Sequence, residues 1–222
     1  MTDHTGTSHD ADRRDLLSEI GRIVGHGGTP VTGVRLLGAE VDVLVIIDEQ
    51  EHVRRSAVQA ECLDEFEVVS VLANLPRWEP VSLQSLSTRE QRAVRRAPRG
   101  CLGLDVGTVT RLAGPPVSAV LVVVRDNDWD RGLNTASQFA PVATRVLLVD
   151  HEPADLALAA AEAAEYGIGL AVKAGTTVRI LVPPERWRES YFTPGGWLFR
   201  EQAYQAFAGQ TARAGADVTT RV

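Results

Sequence analysis

Three acidic residues fall where helix and strand periodicity could gather them at one end of a sheet. Glu19 lies in the helical pattern "DADRRDLLSEIGRIVG", Asp42 in the branched run "AEVDVLVIID" and Glu61 in the shorter run "AVQAEC". Carboxylate oxygens on neighbouring strands are the ligands that Mg2+ takes, and a metal held this way stabilises charge on a phosphate or activates a water. A lysine two residues beyond the second acid would complete the set, because residues i and i+2 of a strand project from one face. Position 63 is Leu, so Glu40, Asp42 and Glu61, with Gln59 beside them, would hold a metal only with an unusual partner. The plainer reading leaves these acids on the solvated face of an alternating strand.

Cations supply the second chemistry, phosphate pairing. Arg89, Arg92, Arg95, Arg96 and Arg99 crowd into "TREQRAVRRAPR", the densest basic stretch, and Lys173 is the only lysine in the chain. A lysine-dependent reaction therefore has one candidate. The formal net charge of −6 disfavours a protein that coats nucleic acid without discrimination, since such binding is driven by neutralising phosphates. A local basic face is compatible with that charge, although Glu90 interrupts the patch and charge runs on helices are commonly just solvated.

These residues depend on elements that the pattern predicts over most of the chain. At 222 residues and 44% hydrophobic content the chain can build an ordinary core, as one sizeable α/β domain or two small ones. Residues 1–10 carry no apolar periodicity and read as a disordered tail. Leu16, Leu17, Ile20, Ile23 and Val24 then recur at helical spacing. Two strand-like runs follow, "VTGVRLL" and "AEVDVLVIID", then a polar turn "EQEHVRRS" and the candidate strand "AVQAEC". Phe66, Val69, Leu72 and Leu75 predict a helix that Pro76 stops, and residues 80–99 offer one or two short helices.

From Cys101 onward strands and helices alternate. Strands are predicted at "CLGLDVGTVTRL", "VSAVLVVVR", "TRVLLVD", "IGLAV" and "TVRILVP", and helices at "DWDRGLNTASQF" and "PADLALAAAEAAEY". That alternation predicts a sheet with parallel neighbours and helices on its faces. Asp128 should cap the first of these helices and Trp129 should anchor it in the core. Trp187, Tyr191, Phe192, Trp197, Phe199, Tyr204 and Phe207 mark an aromatic segment, and 208–222 reads as a flexible tail. The longest apolar run, around Val117 to Val124, is far short of the roughly 20 residues that cross a bilayer. With a polar N-terminus and no signal core, no membrane association and a cytoplasmic location are the default expectations. Cys62 and Cys101 stand in unrelated segments, which excludes a paired thiolate zinc site and predicts buried free thiols.

Residues 101–184 resemble a restriction-endonuclease-like fold of the PD-(D/E)XK type. The likeness rests on Asp128 and Trp129 opening a helix, on Ala143, Thr144 and Arg145 in the next strand, and on "YGIGLAV" at 166–172. It implies a mixed sheet flanked by helices. Position by position it implies Asp105 as the first metal carboxylate, Val123 in place of the second acid, Arg125 in place of the lysine and Thr135 in place of a helix glutamine. Valine cannot ligate a metal, and arginine stays protonated while still pairing with phosphate, so a nuclease site of this kind is degenerate here. "EFEVVSVLANLPRWEPVSLQSLS" resembles the opening of a winged-helix domain, with a recognition helix near "TREQRAVRRA". "LGLDVGT" is similar to the first phosphate motif of actin-like ATPases and to the opening strand of RNase H-like resolvases.

These expectations divide the chain into a helix-and-strand region at 11–100, containing a helix-turn-helix-like segment at 63–100, and a nuclease-like domain at 101–207. The expected function is a catalytically degenerate nuclease-like protein, with little or no hydrolytic activity, that binds nucleic acid or serves as an accessory or regulatory subunit. Arg89, Arg92, Arg95, Arg96, Arg99, Arg125, Arg131 and Arg145 are the candidate phosphate contacts. Two alternatives stand beside it: an active Mg2+-dependent nuclease using Asp42, Glu61 or Asp105, and a scaffold whose segment 187–207 docks a protein partner or a second copy.

Overall fold

The computed structural model describes the chain from Thr5 to Thr219, with side chains from Asp10 to Arg213. In chain order the elements are α1 (Thr5–Ile23), β1 (Thr29–Leu36), β2 (Ala39–Ile47), α2 (Glu49–Val58), α3 (Phe66–Asn74), β3 (Pro80–Ser82), a 3-10 turn (Leu83–Ser85), α4 (Thr88–Arg96), β4 (Leu102–Asp105), β5 (Thr108–Arg111), β6 (Val117–Arg125), α5 (Trp129–Ser137), β7 (Thr144–Val149), α6 (Leu156–Glu165), β8 (Gly169–Ala174), β9 (Thr177–Val182) and α7 (Pro194–Thr219). Contacts divide them into two compact units, residues 1–46 with 119–189, and residues 47–118 with 190–219. Among the described residues no helix is long and apolar enough to cross a membrane.

The first unit is α/β, with a mixed six-stranded sheet in the order β1-β2-β6-β7-β8-β9. β1 and β2 are antiparallel, β6, β7 and β8 run parallel, and β9 returns antiparallel to β8. Parallel neighbours need a crossover, which α5 and α6 provide. Period-2 alternation sorts the faces: Leu121, Val123, Val146, Leu148 and Ala171 pack with Leu16, Leu17 and Ile20 of α1. Each such aliphatic side chain contributes on the order of 1.5–3 kcal/mol by burial. Leu147 points the other way, close enough to α5 that a Cβ on Gly132 would lie 2.5 Å from its Cδ1. Helices therefore flank both faces of the sheet.

The second unit contains a three-stranded antiparallel sheet in the order β3-β5-β4. Ser87 starts α4 with a capping box to Glu90, which satisfies two backbone donors reciprocally. β4 and β5 are joined by a two-residue turn in which Gly107 takes φ 75°, a conformation that favours glycine. Leu63, Val69, Leu72, Val94, Val109 and Trp197 share one core. Behind it lies a buried ionic cluster. Glu201 of α7 accepts from Arg55 Nη1 and Nη2 at 2.7 and 2.6 Å, from Trp197 Nε1 at 2.8 Å and from Leu63 N at 3.2 Å. Glu51 accepts from Arg54, Arg55 and Arg77.

Several expectations change. "EQEHVRRS" is not a turn and "AVQAEC" is not a strand: α2 covers Glu49–Val58, with Asp48 capping it through Glu51 N. Its buried residues are Glu51 and Arg55, so the inward face is an ion pair that no apolar periodicity reveals. "CLGLDVGTVTRL" is a hairpin and not one strand, because Gly107 reverses the chain. The boundary expected near residue 100 falls elsewhere, since the units interleave along the chain. Helix α1 begins at Thr5 and α7 runs to Thr219, so most of the expected tails at 1–10 and 208–222 are helical; residues 1–4 and 220–222 lie outside the described residues. Trp129 is half-buried. Both cysteines are free, Cys101 buried and Cys62 half-buried, and burial pushes the Cys101 thiol up to about 12.

Candidate functional site

Asp42 is fully buried on β2, and the donors around it come from three elements. β1 bulges between Val31 and Val34. There Gly33, at φ 61°, turns its N–H onto Asp42 Oδ1 at 2.8 Å. Arg13 of α1 donates Nη2 to the same oxygen at 2.7 Å and Nη1 to Glu40 at 3.2 Å. Arg125, the last residue of β6, donates Nε to Asp42 Oδ2 at 2.6 Å. The carboxylate thus accepts charge-assisted bonds from two guanidiniums and one backbone amide. Burial lowers the pKa of Arg13, but its bonds and proximity to Asp42 and Glu40 outweigh this and raise it.

β6 neighbours β2 in the sheet, so Val123 and Arg125 do stand beside an acid, and the acid is Asp42. Asp105 is not that residue: it sits exposed at the β4–β5 hairpin of the other unit, its Oδ1 accepting from Val106 N at 2.7 Å. The turn places it there because Gly107 ends β4 four residues after it begins. Glu61 lies exposed in the segment after α2, and Gln59 is the left-handed C-cap of that helix. Both belong to the second unit, and Glu40 and Asp42 to the first. A divalent ion does not fit at Asp42. Val123 offers no donor and is fully buried against α1, and each Asp42 oxygen already serves an arginine. Among the described residues no three His, Cys, Asp or Glu side chains gather as a metal set.

The eight candidate phosphate contacts fall in three places. On α4, Arg89 pairs with Glu67 at 2.7 Å, and Arg96 pairs with Glu65 at 3.0 Å and Glu67 at 2.8 Å. These bonds hold the Glu67 carboxyl below its usual range. Arg92 and Arg95, three residues apart and so neighbours on another face, are exposed and, with Arg99, have no acid partner among the described residues. Arg125 and Arg131 line a cleft in the first unit together with Arg13 and Lys173. Arg125 stands in register with Leu148 of β7, three residues past Arg145, so alternation turns Arg145 to the opposite face of the sheet. There it donates to Tyr166 O at 2.9 Å and lines a separate cleft of about 580 Å³ with Arg186, Trp187 and Arg188.

Sequence reasoning missed Arg13. Its signal was an arginine on the helical face next to Leu16, Leu17 and Ile20, where a cation would be drawn to a buried acid. Thr135 donates to Arg131 O at 2.9 Å, an ordinary helix back-bond. In segment 187–207, Trp197, Phe199 and Tyr204 are buried within α7, and Tyr191 and Phe192 are exposed.

The class that this architecture defines is α/β with a mixed sheet flanked by helices. No family model, no curated protein and no solved structure matches the chain.

Proposed function

We propose that the protein binds double-stranded DNA through α4 and the β4–β5 hairpin, and that its α/β unit is a restriction-endonuclease-like domain without hydrolytic activity. The observation that carries the proposal is the pair Arg92 and Arg95, exposed and free of acid partners among the described residues, on the third helical element of a segment, 66–111, ordered helix, strand, short helix, helix, hairpin. That order, with a β3-β5-β4 sheet, is the plan of the winged-helix domains that the segment resembles. In such motifs the helix in the position of α4 enters the major groove.

Burial of Ala93 and Val94 decides which face of α4 turns outward. Glu65 and Glu67 hold Arg89 and Arg96 against α3, which leaves a narrow cationic stripe and reconciles phosphate contact with a net charge of −6. The hairpin tip supplies a wing, with Val106 97% exposed. Support for the absence of hydrolysis comes from β2 and β6: where the resemblance requires two acids and a lysine, the chain has Asp42 locked by arginines, Val123 and Arg125.

Duplex binding measured across a salt series, with Mg2+ and with EDTA, tests the proposal. Arg92→Ala/Arg95→Ala should reduce the slope of log K against log salt by about 1.8, the release expected for two phosphate contacts, and no strand cleavage should appear with either Mg2+ or Mn2+. An unchanged slope in the double variant, or cleavage that Asp42→Ala abolishes, would overturn it.

A further inference from the structure

We infer that the cleft outside the carboxyl ends of β6, β7 and β8 is a metal-independent binding site for a terminal phosphate group, with arginine and lysine taking the place of a divalent ion. This inference concerns the first unit alone and is independent of DNA docking by α4. The cleft has a volume of about 430 Å³, within the roughly 300–1,000 Å³ typical of small-ligand sites. Its position is the one where open α/β sheets bind ligands, beyond the carboxyl ends of parallel strands.

Charge decides the class of ligand. Arg13, Arg125, Arg131 and Lys173 line the cleft; the buried Asp42 takes one bond from each of Arg13 and Arg125, and the acids in the lining are Asp126 and Asp150. Both of those acids are already engaged. Asp126 accepts from Arg131 Nε and Nη2 at 2.6 and 2.7 Å and from Asp128 N at 3.0 Å, and the Arg131 bonds hold its carboxyl below the usual range. Asp150 accepts from Asn127 Nδ2 at 2.9 Å while its own N–H donates to Asn127 Oδ1 at 2.8 Å. The reciprocal pair braces the β6–α5 and β7–α6 connections at the mouth.

The cations, by contrast, have donors to spare. Lys173, the chain's single lysine, has no acid partner among the described residues. Arg125 Nη2 and Arg13 Nε are enclosed without a hydrogen-bond acceptor among them. Both atoms are sealed from the cleft, so the donors a ligand meets there are those of the exposed Lys173 and Arg131. Arginine forks match phosphate oxygens in geometry, and lysine adds a point charge. A terminal phosphate carries about −1.5 to −2 charge at neutral pH with three outward oxygens, which suits several converging cations better than a singly charged diester. Such a group could come from a small phosphorylated molecule or from the 5′ end of a nucleic-acid strand.

Calorimetric titration of the full chain with inorganic pyrophosphate in EDTA, followed by competition with a single-stranded oligonucleotide bearing either a 5′ phosphate or a 5′ hydroxyl, tests the site. Pyrophosphate should bind without metal, and Lys173→Gln/Arg131→Gln, two exposed positions, should weaken it by about tenfold or more through loss of two charge-assisted contacts. Stronger competition by the 5′-phosphorylated strand assigns the phosphate to a nucleic-acid end; equal, weak competition by both strands assigns it to a small molecule. Arg92→Ala/Arg95→Ala should leave pyrophosphate affinity unchanged, so failure of the DNA proposal and failure of this one are told apart. Absence of binding up to millimolar pyrophosphate, binding that appears only when Mg2+ is added, or equal affinity in Lys173→Gln/Arg131→Gln would overturn the inference.

Discussion

Asp42 is a carboxylate both of whose oxygens accept hydrogen bonds inside the fold. A buried acid costs several kcal/mol to desolvate unless cations and amides replace the lost water, and here Arg13, Arg125 and Gly33 do so at 2.6 to 2.8 Å. Asp42→Asn keeps the shape but takes the counter-charge from Arg125 and leaves Arg13 with the exposed Glu40 alone. We expect it to lose about 3–5 kcal/mol, the usual cost of breaking a buried ion pair from one side, read as a shift in the urea midpoint at constant slope. A variant as stable as the parent would show that Arg13 and Arg125 find water instead. The same geometry explains why the site was only partly legible beforehand. The resemblance puts Val123 and Arg125 in place of an acid and a lysine and Asp105 as their partner acid, but the acid beside them in the sheet belongs to a strand nearly eighty residues earlier in the chain.

Helices α2 and α7 illustrate what periodicity hides. The inward face of α2 is Glu51 and Arg55, and α7 meets them with Glu201. Burial lowers the pKa of Arg55, but Glu201 and Glu51 together raise it on balance, so the cation is firmly held. Glu201→Gln removes the charge that Arg55 and Trp197 both use, and we expect about 3–5 kcal/mol of destabilisation, with near-UV dichroism of Trp197 reporting a loosened α7; a change below about 1 kcal/mol, the range of exposed pairs, would show that water enters the cluster. By contrast α3 and α4 were legible, because Val69 and Leu72 bury an apolar stripe and "STRE" is a capping box. The arginine stripe was legible as composition only. That Arg89 and Arg96 are taken up by Glu65 and Glu67, while Arg92 and Arg95 have no acid partner among the described residues, follows from α3 packing beside α4.

Each unit carries its own acid-sensitive group. His26 bonds Thr144 Oγ1 at 3.1 Å, and burial, with Arg186 nearby, lowers its pKa, so the fold favours the neutral ring. Its contribution is intact above the unfolded value of about 6.5 and is lost as pH falls through that value. Burial works to raise the pKa of Glu51, but hydrogen bonds from Arg54 and Arg55 outweigh it and lower it overall. Its contribution holds above about 4.3 and is lost as pH falls further. Unfolding free energy should therefore decline in two steps on acidification, the first absent in His26→Gln. A single step near pH 4 in both proteins would mean that His26 is solvated.

The sequence by itself determined the α/β class, the alternation of strands and helices beyond Val117, the free cysteines and the basic stretch at 89–99. Each of these depends on residues close in the chain, through periodicity, caps and strand spacing. Only the tertiary structure decided that the helical and hairpin segment 47–118 interrupts the α/β unit between β2 and β6, that Asp42 faces Arg125, and that Lys173 joins Arg13 and Arg131 at one cleft. Those facts come from which strands lie side by side, and pairing across long stretches of chain is chosen by the burial of whole faces, a sum that no local window contains.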